Sequence, residues 1–392
     1  MMFNSNHVDI DMLSTRAYNL RWATLPQGVI PLTAADPDFQ VAPPIQKALK
    51  EYIDGGYLSY GPAEGLPQFK DAVANDYKMK NKVAYDSNCI LPIDSAAFGI
   101  YLCCKTLLKP GDEVIIFNPV DFLFKYSAEK VGAKTIAYHT PQKDDGFDFN
   151  ELSSLINSKT KMICLCNPLN PTGKVFTREE LLTLAEVVSK HKDIIVLSDE
   201  IWSDIIFSPH TFNAFASIEP VFNQTITVTG YSKSYGLAGL RIGSVLCPNK
   251  MIYDQIFESS LHQSTVHGVN VLGQIAATAA LNDAQLWLSS FVTHLHRMRN
   301  LAVQRLNEMP GVSCKSPEGC YVLFPDITQT PYTATQLHEN LLKTAKVAIV
   351  PGLPKWFGSA AEGHIRLSFA TSEELLTEAL ARIHKFLARQ KK

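Results

Sequence analysis

The chain has 392 residues, 46% hydrophobic and 19% charged, with a formal net charge of −2. That composition is globular and supports one large core with a smaller second unit, and its balanced charge speaks against nucleic-acid or membrane-surface binding. Residues 1–10 are polar and no run of about 18 apolar residues occurs, so neither a signal peptide nor a transmembrane helix is expected. Eight cysteines are scattered along the chain. The adjacent Cys103 and Cys104 and the alternating Cys164 and Cys166 fit neither a zinc site nor a disulfide framework, and read as small core residues of a cytoplasmic protein.

Residues 1–45 read as an arm, with a short strand over 28–32. Ala34-Ala35-Asp36-Pro37-Asp38-Phe39 follows, where small residues suit either a close backbone approach or a plain turn. Pro44 can open a helix to Tyr52. Tyr57 to Gly65 is a glycine- and proline-rich loop carrying Tyr57 and Tyr60, and a helix over 66–80 buries Phe69, Val73 and Tyr77 on one face. Small residues at Ser95, Ala96 and Ala97 open a helix to about Leu108. Such a start offers free N–H groups and the positive dipole end to an anion, or simply a tight helix contact. From Pro110 the pattern alternates. Strands are expected over 113–117, 134–138, 162–166, 194–198, 225–229 and 243–247. Helices separate them, the one after Thr177 opened by a Thr177–Glu180 capping box. Near-continuous apolar strands of this kind form a mainly parallel sheet covered on both faces, with ligands at the carboxyl ends.

Three polar signals fall at those ends: Asn167-Pro-Leu-Asn-Pro-Thr-Gly173, Asp199-Glu200-Ile201-Trp202, and Ser232-Lys233. A lysine among small and apolar residues loses its charge readily and becomes a nucleophilic amine. Arg241, eight residues on between Gly239 and Gly243, is a fixed cation suited to a phosphate. An amine that condenses with an aldehyde whose phosphate an arginine holds fits pyridoxal phosphate. Helices over 251–261 and 268–282 flank Gln263 to His267, and a long helix over 284–309 leads to a smaller α+β portion. There, strands are expected over 321–324, 347–350 and 364–369, the last carrying Arg366, before a terminal helix capped by Ser372.

With Asn170, Asp199, Lys233, Arg241 and Arg366 in this order and spacing, nearly the whole chain resembles the class I/II aminotransferases, a family of fold-type I pyridoxal-phosphate enzymes. The resemblance implies an α/β fold, with a large domain built on a mainly parallel seven-stranded sheet and a smaller α+β domain. It divides the chain into an arm over 1–45, a large cofactor-binding domain over 46–285 and a small domain over 286–392. It implies transfer of an amino group between an L-amino acid and a 2-oxo acid. In this reading Lys233 holds the cofactor as an internal aldimine and shuttles the proton, and Asp199 keeps the pyridine nitrogen protonated. Asn170 bonds the ring's 3-oxygen and borders the substrate. Ser232, Arg241 and the amides around Ser95, Ala96 and Ala97 hold the phosphate. Tyr60 reaches the phosphate of a neighbouring subunit, which implies a homodimer. Arg366 grips the substrate carboxylate and the Ala35 backbone meets it.

Two residues depart from the family's pattern. Trp202 stands where a tyrosine often follows the ring-binding aspartate. The ring-stacking residue is often aromatic and two after a proline, whereas here Pro119 is followed by Val120, Asp121 and Phe122, leaving Phe122 to act through a shifted loop. Ala35 to Phe39 also resembles the cystathionine β-lyase-type branch of the same fold, while Leu240-Arg-Ile-Gly243 is closer to the aminotransferases. A third reading is an aminotransferase-like regulatory domain. The roughly 30 residues before the match are too few for a winged-helix module, and the charge disfavours DNA. No second arginine can be assigned to a substrate side-chain carboxylate.

Overall fold

In the computed structural model, residues 3–140, 147 and 149–389 are described. In chain order the strands are β1 (Ile30–Pro31), β2 (Ile90–Ile93), β3 (Glu113–Asn118), β4 (Lys134–His139), β5 (Thr160–Cys166), β6 (Ile195–Asp199), β7 (Thr225–Gly230), β8 (Gly243–Leu246), β9 (Val322–Leu323), β10 (Val347–Ala348), β11 (Val350–Pro351) and β12 (Ile365–Ser368). The apolar runs after Pro110 form the middle of a seven-stranded sheet with order β2-β8-β7-β6-β5-β3-β4. β4, β3, β5, β6 and β7 are parallel to one another, and β8 runs antiparallel to both β7 and β2. Alternate residues feed two separate cores. Ile90 and Leu246 join Phe69, Val73 and Ala277 on one face, while Leu91 and Val245 join Ile100, Leu184 and Ile256 on the other. Period-2 alternation with both faces apolar is what a helix-covered sheet requires.

The seventh strand, β2, has no counterpart among the strands read from periodicity, because Pro92 interrupts the run Ile90-Leu91-Pro92-Ile93. β2 lies at the sheet edge and pairs only with β8, Pro92 opposite Ser244. An edge strand tolerates a residue that cannot donate on its free side.

The expected strand over 347–350 is corrected to two. β10 pairs in parallel with β1, and β11 pairs with β12 in the antiparallel sheet β11-β12-β9. The break falls at Ile349, whose carbonyl lies 2.7 Å from His338 Nδ1. Those two sheets sew the arm to the C-terminal part: Leu32 N–H donates to Ala348 O, Ser368 N–H to Leu32 O and Asp38 N–H to Ala370 O. A buried ion pair, Arg21 with Asp38, locks the arm further, and Trp22 Nε1 donates to the same carboxylate at 2.7 Å. This stitching carries Ala35 to the strand that holds Arg366.

Candidate active site

Pairing of β5, β6 and β7 sets Cys166 beside Asp199 and Asp199 beside Val228, so the residues that follow share one edge of the sheet. Lys233 lies in the short helix Ser232–Tyr235 that begins just past β7 and is closed by Gly236 at φ +70°. Its Nζ donates to Ala35 O at 2.6 Å, and Tyr321 Oη donates to the same oxygen at 3.3 Å. The Trp202 ring lies 5.6 Å from Nζ and packs edge-on against Tyr321 with centroids 4.7 Å apart. Burial pulls the proton affinity of Lys233 below that of a free lysine, and Arg366 adds to the effect. The carboxylates of Asp36, Asp121 and Asp199 oppose it.

Asp199 is the last residue of β6 and its Oδ1 accepts from Ile201 N–H at 3.1 Å. Burial pushes its carboxyl up to about 7, with the nearby Asp121 charge adding and the Ile201 amide and Lys233 opposing. Behind it, burial raises Glu200 to about 7 as well, although Ser198 Oγ and Tyr77 Oη both donate to its carboxylate.

Arg366 and Asn170 meet across the two sheets. Arg366 Nη1 donates to Asn170 Oδ1 at 3.2 Å and Nη2 reaches Thr33 O at 3.5 Å. The guanidinium sits 5.1 Å from the Phe357 ring. Its Nε is buried and has no partner among the described residues, which leaves a donor for an incoming anion. Asn170 Nδ2 donates to Asp121 Oδ2 at 2.9 Å.

At the same end of β7, where β8 begins and β2 ends (Gly230 opposite Gly243, Gly243 opposite Ile93), Ser95 caps the helix Ala96–Leu107 by accepting from Phe98 N–H at 3.1 Å. The first-turn amides of Ala96 and Ala97 have no acceptor inside the helix. A Cβ at Gly243 would lie 2.8 Å from Thr229 O and 3.0 Å from Ala96 N, so only glycine lets β8 pass this close. Ser232 is half-buried at the start of its helix. Arg241 is exposed at φ +49°, and its Nη1 donates to Ala238 O at 3.0 Å.

Lys233, Asp199, Asn170, Trp202, Ala35 and Arg366 thus come together. Tyr60, 88% exposed, and Phe122, 43% exposed, stand at the surface of the single chain. Asp121, not Phe122, turns inward to Asn170. Asp121, Asp36, Thr33 and Tyr321 belong to the site but were absent from the residues singled out in the sequence. Asp121 had a usable signal, since it is a polar residue just past the carboxyl end of β3, the feature that pointed to Asn170.

A family model described as aminotransferase class I and II matches residues 27–383. An aspartate aminotransferase of Pyrococcus abyssi is 34% identical over 93% of this chain and 92% of its own length. The crystal structure of an aromatic aminotransferase from Pyrococcus horikoshii superposes with a TM-score of 0.87 at 32% identity, covering 93% of this chain and 97% of that one. Cystalysin from Treponema denticola, whose structure contains pyridoxal 5'-phosphate, shares the fold at a TM-score of 0.90 and 24% identity, with full coverage of both chains. The arrangement of sheet, lysine and paired polar strand ends, together with these matches, makes this chain a member of the class I and II aminotransferase family.

Proposed function

We propose that the chain is a pyridoxal-phosphate-dependent aminotransferase that moves an amino group between an L-amino acid and a 2-oxo acid. The observation that carries this reading is the Lys233 amine, its proton affinity lowered by burial, held between Ala35 O and the Trp202 ring on the sheet edge that also presents Asp199.

The residues present fit the cofactor. Lys233 suits its aldehyde, and the amides of Ala96 and Ala97, with Ser232 and Arg241, suit its phosphate. Gly243 keeps that cradle open. Asp199 suits a cationic ring nitrogen, which would offset the burial that otherwise resists its ionisation. When bound, pyridoxal phosphate supplies an electron sink that acidifies the substrate's Cα–H bond. Lys233 Nζ takes that proton and returns it, which an amine of lowered proton affinity does more readily than a free lysine. Arg366 holds the substrate α-carboxylate, aided by its unpartnered Nε, while Asn170 fixes the guanidinium from behind. Ala35 and Trp202 bound the space around the amine.

A homodimer with shared sites follows from the same reading. Tyr60 projects from a loop pinned against 268–271, where a Cβ at Gly61 would meet Val271 and one at Gly268 would meet Pro62 O. Its ring rests 5.3 Å from the His267 ring and is otherwise open, which supports delivery to a neighbouring subunit. A cytoplasmic location is supported by eight cysteines that are all buried and free. No helix among the described residues is long and apolar enough to cross a membrane.

The test uses the purified holoenzyme and an amino donor that lacks a leaving group at Cβ. The visible cofactor absorbance is expected to fall on adding the donor and to return on adding a 2-oxo acid. An unchanged spectrum with donors of several side-chain classes, alongside steady release of pyruvate, ammonia and a thiol from cystathionine, replaces transamination with β-elimination.

A further inference from the structure

The grip on the substrate carboxylate depends on how one amide is turned. The oxygen and nitrogen of an asparagine side chain are nearly the same size, so hydrogen-bond partners decide which way they face. On one side of Asn170, Arg366 Nη1 can only donate, and it meets Oδ1 at 3.2 Å. On the other side, an ionised Asp121 can only accept, and its Oδ2 meets Nδ2 at 2.9 Å. The two constraints agree, and each would be violated by a flipped amide.

Asp121 is itself held in place. Its N–H donates to Asn170 O at 3.2 Å, so the two residues are tied by backbone as well as side chain. Its Oδ1 lies 3.3 Å from the Leu123 N–H that donates to it. Val120 N–H donates to Phe357 O at 3.0 Å, and the Phe357 ring backs the Arg366 guanidinium. The segment 119–123 therefore supports both the amide and the ring on which Arg366 rests. It also brings a negative charge toward a buried arginine: Asp121 raises the proton affinity of Arg366 and Arg366 lowers that of Asp121, each against burial.

Resting on the proposed function above, we propose that Asp121 is a positioning residue: it locks the Asn170 amide so that Oδ1 faces Arg366, and thereby presents the guanidinium to the substrate α-carboxylate. Carboxylate recognition in this enzyme is thus a three-residue relay, Asp121–Asn170–Arg366.

The test compares Asp121→Ala with Asp121→Asn. The asparagine variant retains a side-chain oxygen that can accept from Asn170 Nδ2, and the alanine variant does not. Arg366 binds the carboxylate in ground and transition states alike, so its misplacement raises KM more than it lowers kcat. Asp121→Ala is expected to raise KM for both the amino acid and the 2-oxo acid by ~10- to 100-fold, the range for hydrogen bonds to charged groups, with kcat changed less than about 3-fold. Asp121→Asn is expected to recover most of that loss. Calorimetric titration of the holoenzyme with 3-phenylpropionate and with succinate, carboxylates that have no amino group, reads binding without turnover. Binding of at least one is expected, with the same order, wild type and Asp121→Asn tight and Asp121→Ala weak. If Asp121→Ala does not fold, Asp121→Leu, similar in size and without an acceptor, takes its place. Variants indistinguishable from wild type overturn the relay. A loss confined to kcat, or an asparagine variant as impaired as the alanine one, does so as well. None of those outcomes touches the wild-type spectral cycle, whose own failure would instead remove the aminotransferase reading.

Discussion

Asp199 illustrates how one residue can be costly to the empty protein and useful to the loaded one. The residue is 7% exposed and its carboxyl is pushed up to about 7, chiefly by burial. Such a group binds a proton in the folded chain that it has already lost in the unfolded chain between about pH 4 and 7. Folding stability of the cofactor-free protein therefore falls as pH rises through that window. Each tenfold gap in proton affinity is worth about 1.4 kcal/mol, and solvent entry and relaxation reduce the sum. Asp199→Asn removes the titration while keeping an oxygen for the Ile201 N–H. We expect cofactor-free Asp199→Asn to melt above the cofactor-free wild type at pH 8, with the gap closing near pH 4. Asp76, raised to about 6, titrates alike in both proteins, while Glu200, raised to about 7 by burial with the Asp199 charge adding, is eased in the variant and shifts the gap in the same direction. Asp76 is raised mainly by burial, with Asp204 adding and Lys80 opposing. A melting difference that does not change with pH would show that the Asp199 carboxyl is not strained by burial.

At the level of elements, the proposed phosphate cradle depends on a strand passing unusually close to a helix start. The neighbours a Gly243 Cβ would meet are backbone atoms, Thr229 O at 2.8 Å and Ala96 N at 3.0 Å, and neither can rotate away. Gly243→Ala must push β8 from the helix Ala96–Leu107. Overpacking of this kind typically costs about 1–3 kcal/mol. The variant is expected to bind pyridoxal phosphate ~10-fold or more weakly and to melt at lower temperature. Gly239→Ala, with nothing within 4 Å of its Cβ, serves as the control and is expected to behave as wild type. Cofactor titration by fluorescence reads both. Normal affinity in Gly243→Ala would mean that the close approach is unrelated to the cradle.

For the whole molecule, the question is what covers the loop at Tyr57 to Tyr60. Tyr57, Leu58 and Tyr60 are 83%, 70% and 88% exposed, a cluster of apolar surface that monomers rarely leave bare. In a two-fold dimer the same patch is used twice, and each copy can complete the other's site. Lys233→Ala and Tyr60→Ala are each expected to be impaired alone. Mixed and allowed to exchange subunits, they form hybrids in which both defects fall in one site, so activity returns to roughly a quarter of wild type for random pairing. No recovery despite exchange, or a sedimenting monomer with full activity, would end the shared-site reading.

Much of this protein was readable along the chain, and the reasons are local. Strands buried on both faces must be nearly continuous in apolar residues, so the runs ending at Cys166, Ser198 and Thr229 announced a helix-covered parallel sheet. Polar residues just past such runs have only the sheet's carboxyl edge to occupy, which singled out Asn170, Asp199 and Lys233 before any packing was known. β2 escaped because Pro92 is acceptable only at an edge, and whether a strand is an edge is a property of the assembled sheet. The break at Ile349 depended on which partners Val347 and Val350 found on either side. The inward turn of Asp121 was hidden for the same reason. Its meaning comes from Asn170, and Asn170's from Arg366, 196 residues further on. The Lys233 bond to Ala35 likewise spans 198 residues. Local periodicity specifies which face of an element is buried; it carries no information about which distant backbone oxygen or carboxylate will stand opposite. That pairing was decided only when the arm, the sheet and the C-terminal strands closed on one another.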